Sequence, residues 1–340
     1  MPNAVITDAI DRLCAGQDLS ADQASRVLRE VMSGNASEAE TAGFLVGLRT
    51  KGETVAEIAG LARTMRELAA KVQVAGELVD TAGTGGGLPT FNVSTTAAFV
   101  AAGAGCKVAK HGNRSATSQC GSADVLEALG ASIELEPAAV AECIDAVGFG
   151  FMFAPRHHQA MRYVVPVRKE LAVRTIFNFL GPLTNPASAR RQVIGVSDGG
   201  YLETIAAALR ELGTEAALVV SSADGLDEFS VSGATQVVEL KGGGLRSFEV
   251  TPEEVGLERA ADGAVGAGTP EQNAEVLRRV LSGESGTERA LAILNAGAAI
   301  YVAGATESIE AGVRRAEESV DSGAAREVME GFVERSRELG

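Results

Sequence analysis

Asp80-Thr-Ala-Gly-Thr-Gly-Gly-Gly87 follows a short apolar segment, and Asn92-Val-Ser-Thr95 opens the helical run after it. Strand, glycine-rich loop and helix in that order read as the start of a βαβ unit. The glycines let backbone N–H groups approach an anion with no Cβ in the way. Ser94, Thr95 and Thr96 lie where free N–H groups and the helix dipole favour negative charge. Lys110-His-Gly-Asn-Arg114 follows the next apolar segment and adds positive charge. The loop is neither a Walker A loop nor a G-x-G-x-x-G fingerprint, and alone it marks a tight turn as readily as a ligand. Together these features point to a site for a phosphorylated substrate.

The same grammar continues on the C-terminal side. Strands are expected at Leu78–Asp80, Cys106–Ala109, Ser132–Leu135, Phe149–Phe153, Val193–Val196 and Ala217–Val220. Helices are expected from Asn92, Ser122, Pro137 and Tyr201, and again from Thr269 to the end. Residues 157–171 read as a helix kinked at Pro166, 178–186 as a turn-rich crossing, and 229–239 and 245–250 as less regular β structure. Such alternation implies a mostly parallel sheet, with ligands at the C-terminal strand ends. On the N-terminal side the first seventy or so residues carry only helical signals: Ser20, Ser37 and Thr54 are candidate caps, and Ile58, Leu61, Met65 and Leu68 repeat at helical spacing. This part reads as a small helical domain.

The chain has 340 residues and a formal net charge of −15. Like charge opposes general binding to nucleic acid or anionic membranes. No apolar run is long and uncharged enough to span a bilayer. Cys14, Cys106, Cys120 and Cys143 form no C-x-x-C pair, and no signal peptide is legible, so reduced thiols and a cytoplasmic location are expected. A basic island, Arg156, Arg162, Arg168, Lys169 and Arg174, is opposed within its window only by Glu170.

Several residues carry candidate chemistry, each beside a plainer alternative. Lys110 can hold a diphosphate, and Asn113 offers a donor and an acceptor to a planar ligand. His111 is a general base or a packed histidine bonded to backbone. Asp227 and Glu228 suit Mg²⁺ bridged to phosphates, or are two exposed acids. Arg168 grips a carboxylate or makes a surface ion pair. His157 and His158 are adjacent and cannot form a simple metal pair on one helix face.

Taken together, the residues resemble the anthranilate phosphoribosyltransferase family over nearly the whole chain. The resemblance rests on Gly83-Thr-Gly-Gly, Asn92-Val-Ser-Thr, Lys110-His-Gly-Asn-Arg, Gly121-Ser-Ala-Asp, Val167-Arg-Lys, Arg174-Thr-Ile-Phe-Asn, Gly181-Pro-Leu-Thr-Asn-Pro and Asp227-Glu228. It implies transfer of a phosphoribosyl group from phosphoribosyl pyrophosphate to the amine of anthranilate, in tryptophan biosynthesis. It implies an α/β fold of the nucleoside phosphorylase/phosphoribosyltransferase type: a small helical domain, a large domain with a mostly parallel central sheet, and an active site at the hinge. The expected division is 1–74, joined by a helical segment at about 160–186, against 75–159 with 187–340. A homodimer through the helical domains is also implied.

By the same resemblance, the phosphoribosyl pyrophosphate ligands would be Gly83, Gly86, Gly87, Thr90, Asn92, Val93, Ser94, Thr95, the run Lys110, His111, Gly112, Asn113, Arg114, Ser115, Ala116, Thr117 and Ser118, and Ser122. Ser94, Asp227 and Glu228 would hold Mg²⁺. Anthranilate would meet Gly83, His111, Asn113, His158 and Arg168, with Lys110, Asn113 and Arg168 the residues carrying catalysis. The family loop usually reads Gly-Thr-Gly-Gly-Asp, whereas position 87 here is Gly. The missing carboxylate is expected to alter magnesium dependence rather than abolish activity. Two rivals stand beside this reading: a pyrimidine nucleoside phosphorylase of similar fold, and a non-catalytic relative that binds nucleic acid. The Lys-His-Gly-Asn loop and Asp227-Glu228 favour the transferase over the first, and the net charge opposes the second.

Overall fold

The structure is a computed structural model and describes residues 1–115, 119–261, 263 and 265–340. The chain opens with four helices, α1 (Ala4–Cys14), α2 (Ala21–Met32), α3 (Glu38–Lys51) and α4 (Val55–Leu68). Ser20, Ser37 and Thr54 cap the last three with reciprocal capping boxes. Their apolar faces (Ile6, Leu28, Phe44, Leu45, Ile58 and Leu61) bury against one another.

The α/β part then runs β1 (Leu78–Gly83), α5 (Val93–Gly103), β2 (Lys107–Gly112), α6 (Ser122–Leu129), α7 (Pro137–Val147) and β3 (Phe149–Phe153). Four short helical pieces follow: α8 (Ala154–His157), a 3₁₀ turn (Gln159–Tyr163), α9 (Val165–Leu171) and α10 (Phe177–Leu183). The chain then returns through β4 (Arg191–Gly195), α11 (Leu202–Glu211), β5 (Ala216–Ser222), β6 (Thr235–Lys241) and β7 (Gly244–Val250). Helices α12 (Pro270–Leu281), α13 (Thr287–Val302), α14 (Ile309–Asp321) and α15 (Ala324–Leu339) complete it.

Among the described residues the strands form one seven-stranded sheet, ordered β3-β2-β1-β4-β5-β6-β7. The first five are parallel, and β6 and β7 are antiparallel. The order of strand addition reverses between the parallel neighbours β1 and β4: the first excursion runs outward through β2 and β3, the second through β5. Their C-terminal ends therefore frame the crevice where open α/β sheets bind ligands. Gly83 of β1 pairs with Gly195 of β4 at that edge.

Alternate strand residues serve two cores. Val193, Leu218 and Val220 face α5 and the C-terminal helices, while Ile194, Ala217 and Val219 face α11 and the helical part. Helix α5 is buried almost all round, and Ala97 to Ala101 are fully enclosed. Phe99 stacks on Phe149 at 4.3 Å, and Phe149 meets Phe332 edge-on at 4.8 Å. Val164, Val167, Ile176, Phe177 and Leu180 pack with the first four helices.

Three expectations need correction. Ser132–Leu135 takes no regular secondary structure and joins no strand among the described residues, although Ile133 and Leu135 are buried. The 157–171 region is three pieces, and Pro166 lies in the first turn of α9 rather than at a kink. The supposed turn-rich crossing contains α10, with Pro182 in its last turn.

Candidate active site

The glycine loop rests on the acidic loop after β5. Thr84 N–H donates to Gly195 O at 2.9 Å, Gly85 N–H to Asp227 Oδ2 at 2.8 Å, and Leu88 N–H to Gly225 O at 3.0 Å. Gly85 and Gly86 have φ of +71° and +83°, which a residue with a Cβ rarely adopts. A Cβ on Gly83 would overlap the Asp227 carboxylate. One on Gly87 would lie 2.8 Å from both Asp227 N and Oδ1 and 2.9 Å from Gly225 O. The room an aspartate would need at position 87 is therefore taken by Asp227 and its loop. A Gly87→Asp exchange would displace that loop as well as add charge.

Helix α5 begins directly behind this loop. Asn92 turns its side chain away from the helix: Oδ1 accepts from Asn273 Nδ2 at 2.9 Å, and Nδ2 donates to Cys120 O at 3.3 Å. Among the described residues the helix start is thus left without a side-chain cap, and its Ser94 backbone amide acts on Glu228, favouring the ionised carboxylate. Lys110 is 2% exposed, and its Nζ donates to Thr81 O at 2.6 Å and Ser94 Oγ at 3.2 Å. Lys110 therefore reaches the helix start from beneath rather than from the cleft. Burial lowers its pKa, against the opposing pull of Asp80 and Glu228.

Burial raises the pKa of Asp227, and burial with the neighbouring Asp227 charge raises that of Glu228. Two carboxylates and the Ser94 hydroxyl make an oxygen-only donor set. This suits Mg²⁺, which keeps several positions for water and phosphate oxygens. Among the described residues no group of three or more His, Cys, Asp or Glu forms a self-sufficient metal cage. A ligand's own phosphates would have to complete the coordination.

A buried polar knot supports β1 and β2. Asp80, fully enclosed, accepts His111 N–H at 3.2 Å and Asn185 Nδ2 at 2.7 Å. Asn185 also donates to Ala109 O at 2.8 Å and accepts Ala187 N–H at 2.9 Å. One side chain thereby ties the crossover to the strand ends that carry Lys110 and His111. His111 Nδ1 lies 3.2 Å from Gly181 O, its Nε2 is buried without a hydrogen-bond partner among the described residues, and its ring sits 5.0 Å from that of His158. Arg168, half-buried on α9, has its guanidinium 5.6 Å over the Phe177 ring and no ion pair among the described residues.

Several expected residues have other engagements. Arg114 is paired with Asp124 and Glu127 at the surface, so its charge is neutralised outside the crevice. Thr96 Oγ1 bonds back to Asn92 O at 3.0 Å, as a helix-interior hydroxyl does. Thr95 is fully enclosed and its hydroxyl has no hydrogen-bond partner among the described residues, so the structure does not present it to the crevice. Thr90 bonds Phe91 O at 2.9 Å, Ser115 N–H bonds Asp124 Oδ2 at 3.2 Å, and Ser122 Oγ bonds Asn113 O at 3.3 Å. Gly112 is required where it stands, because a Cβ there would overlap Ser122 Oγ. Ala116, Thr117 and Ser118 lie outside the described residues. The basic island is not one patch: Arg156 pairs with Glu136, Arg162 with the Tyr163 hydroxyl, and Arg174 with the glycine loop. Asn185, Ser197 and Arg174 were not legible as site residues, since each acts through a partner far along the chain.

A helical bundle joined to a parallel sheet, with a glycine loop and paired acids at the switch point, defines a phosphate-handling transferase of the glycosyl transferase type. The glycosyl transferase family's helical bundle domain matches residues 7–69, and its a/b domain matches residues 75–326. The chain is 56% identical to the anthranilate phosphoribosyltransferase of Rubrobacter xylanophilus over 338 residues, 98% of each chain. The Thermus thermophilus enzyme of that name superposes with a TM-score of 0.92 at 47% identity, covering 97% of this chain and 99% of that one. The Saccharomyces cerevisiae enzyme superposes at 27% identity in complex with PRPP and Mg (TM-score 0.90, 99% of each chain) and with 4-fluoroanthranilate (TM-score 0.89, 99% of this chain and 98% of that one). The chain belongs to the anthranilate phosphoribosyltransferase family.

Proposed function

We propose that this chain transfers the phosphoribosyl group of phosphoribosyl pyrophosphate to the amine of anthranilate, giving N-(5-phosphoribosyl)anthranilate and pyrophosphate in tryptophan biosynthesis. The observation that carries this reading is the convergence of the glycine loop, the α5 start, Lys110 and the Asp227-Glu228 pair at the ends of β1 and β4.

The glycine-loop amides and the start of α5 bind the diphosphate and orient the ribose. Ser94, Asp227 and Glu228 hold Mg²⁺, which supplies charge neutralisation on the leaving diphosphate when bound. Lys110, fixed beside Ser94, adds positive potential at the same end. Arg168 grips the anthranilate carboxylate, and Asn113, Gly83, His111 and His158 line its approach. An aromatic amine is neutral near pH 7, so positioning and leaving-group stabilisation contribute more than a strong base. Nδ1 of His111 faces a carbonyl oxygen and must carry the proton, which leaves Nε2 as a neutral acceptor for an amine N–H. The remaining assigned residues, Gly86, Gly87, Thr90, Asn92, Val93, Thr95, Gly112, Arg114, Ser115 and Ser122, shape or support the sugar-diphosphate side.

We assign residues 1–74 with about 160–186 to a helical unit and the rest to the α/β unit, closing over the crevice. A homodimer through the helical unit is supported by exposed apolar side chains there, Val5, Val46 and Val165. A cytoplasmic location is supported by the free thiols Cys14, Cys106, Cys120 and Cys143 and by the substrates proposed. The test is anthranilate fluorescence: it should decay only with phosphoribosyl pyrophosphate and Mg²⁺ together, stop on chelation and resume on re-addition of Mg²⁺. Decay without the sugar donor, or none with both present, would overturn the reading.

A further inference from the structure

We infer that Arg174 is a positioning residue that clasps the phosphate-binding glycine loop and ties it to the arm bearing Arg168, an inference that rests on the proposed function. Its Nη2 donates to Gly85 O at 3.1 Å and to Ser197 Oγ at 3.2 Å, and Ser197 Oγ donates to the same Gly85 O at 3.1 Å. The guanidinium fills the space beside Gly86, where a Cβ would overlap Nη2. Gly85 is thereby held from both sides, its N–H by Asp227 and its carbonyl by Arg174 and Ser197. Two left-handed glycines have little intrinsic preference for one shape. The loop that must present its amides to a diphosphate is therefore shaped by side chains outside it.

Arg174 also faces the other way. Its carbonyl accepts from Arg49 of α3. It lies three residues beyond α9, after a break at Ala172, a non-glycine residue with φ of +49°. Its charge lies beside the anion site, where it pulls the Asp227 pKa down against the effect of burial.

The test compares Arg174→Ala, Arg174→Lys and Gly86→Ala in the full chain. Arg174→Ala should raise the KM for phosphoribosyl pyrophosphate about tenfold or more, and weaken Mg²⁺-pyrophosphate binding by calorimetry to the same extent. The KM for anthranilate should stay within about twofold and the thermal midpoint should hold. Arg174→Lys should recover part of the loss. Gly86→Ala should cost markedly less in the Arg174→Ala background, because the overlap with the guanidinium is gone. Unchanged donor KM and pyrophosphate affinity, or a uniform rise in both KM values with a lowered thermal midpoint, would overturn the inference. A wild type with no turnover would instead overturn the proposed function, and the pyrophosphate calorimetry would still test Arg174.

Discussion

Histidine protonation shows what single residues contribute. His111 and His157 point Nδ1, and His158 points Nε2, at the carbonyls of Gly181, Ala70 and Thr184. A carbonyl only accepts, so each ring's tautomer is set. Burial lowers all three pKa values, that of His158 to about 4. In the unfolded chain His158 titrates near 6.5, so the unfolded state binds more protons at this residue between about pH 4 and 6.5. Its stabilising contribution is fully present above 6.5 and falls on acidification through that window, by up to about 1.4 kcal/mol per pH unit, and the lowered pKa values of His111 and His157 act in the same direction. Thermal midpoints from pH 7.5 to 5 should fall accordingly, and His158→Gln should flatten the slope; a slope unchanged by that variant would contradict it. The role proposed for Arg168 rests on charge rather than tautomer. Truncation to Ala should raise the KM for anthranilate about 10- to 100-fold and leave pyrophosphate affinity nearly unchanged, as charge-assisted hydrogen bonds go. Initial rates against each substrate in turn would check this.

At the scale of elements, glycines decide how closely helices approach. A Cβ on Gly312 of α14 would overlap Gly297 O of α13, and one on Gly297 would lie 2.6 Å from Val313 N. These two helices cross backbone to backbone, so Gly312→Ala should cost about 1–3 kcal/mol through overpacking, read as a lowered calorimetric midpoint. The four leading helices and the strands framing the crevice could be read from caps, helical periodicity and the βα alternation. Ser132–Leu135 could not, because alternating apolar residues report burial and not pairing: Ile133 and Leu135 reach the core without a neighbouring strand. Helix α10 was hidden by its Gly181 and Pro182, which tertiary packing of Phe177, Leu180 and Leu183 overrides. The glycine loop, Lys110 and the acid pair were legible as a set. The contacts of Asp227 and Arg174 with Gly85 were not, for they join residues 142 and 89 positions apart.

On the scale of the whole molecule, one guanidinium links a leading helix to the ends of α10 and α11. Arg66 of α4 donates to Leu183 O at 2.7 Å, ending α10, and to Leu212 O at 3.2 Å, ending α11. Burial lowers its pKa to about 10, which still leaves it charged in ordinary buffers. The outer face of the helical part bears the apolar side chains proposed for dimerisation. Val46→Glu should therefore halve the mass measured by light scattering without unfolding the chain, and an unchanged mass would remove that face from consideration. At the crevice itself, the Gly85 amide is already bonded to a carboxylate. A diphosphate arriving there exchanges one oxyanion for another, and the side chain it evicts is among those proposed to receive the accompanying cation. Entry of donor and metal thus becomes a single trade of partners, in which neither newcomer settles well without the other.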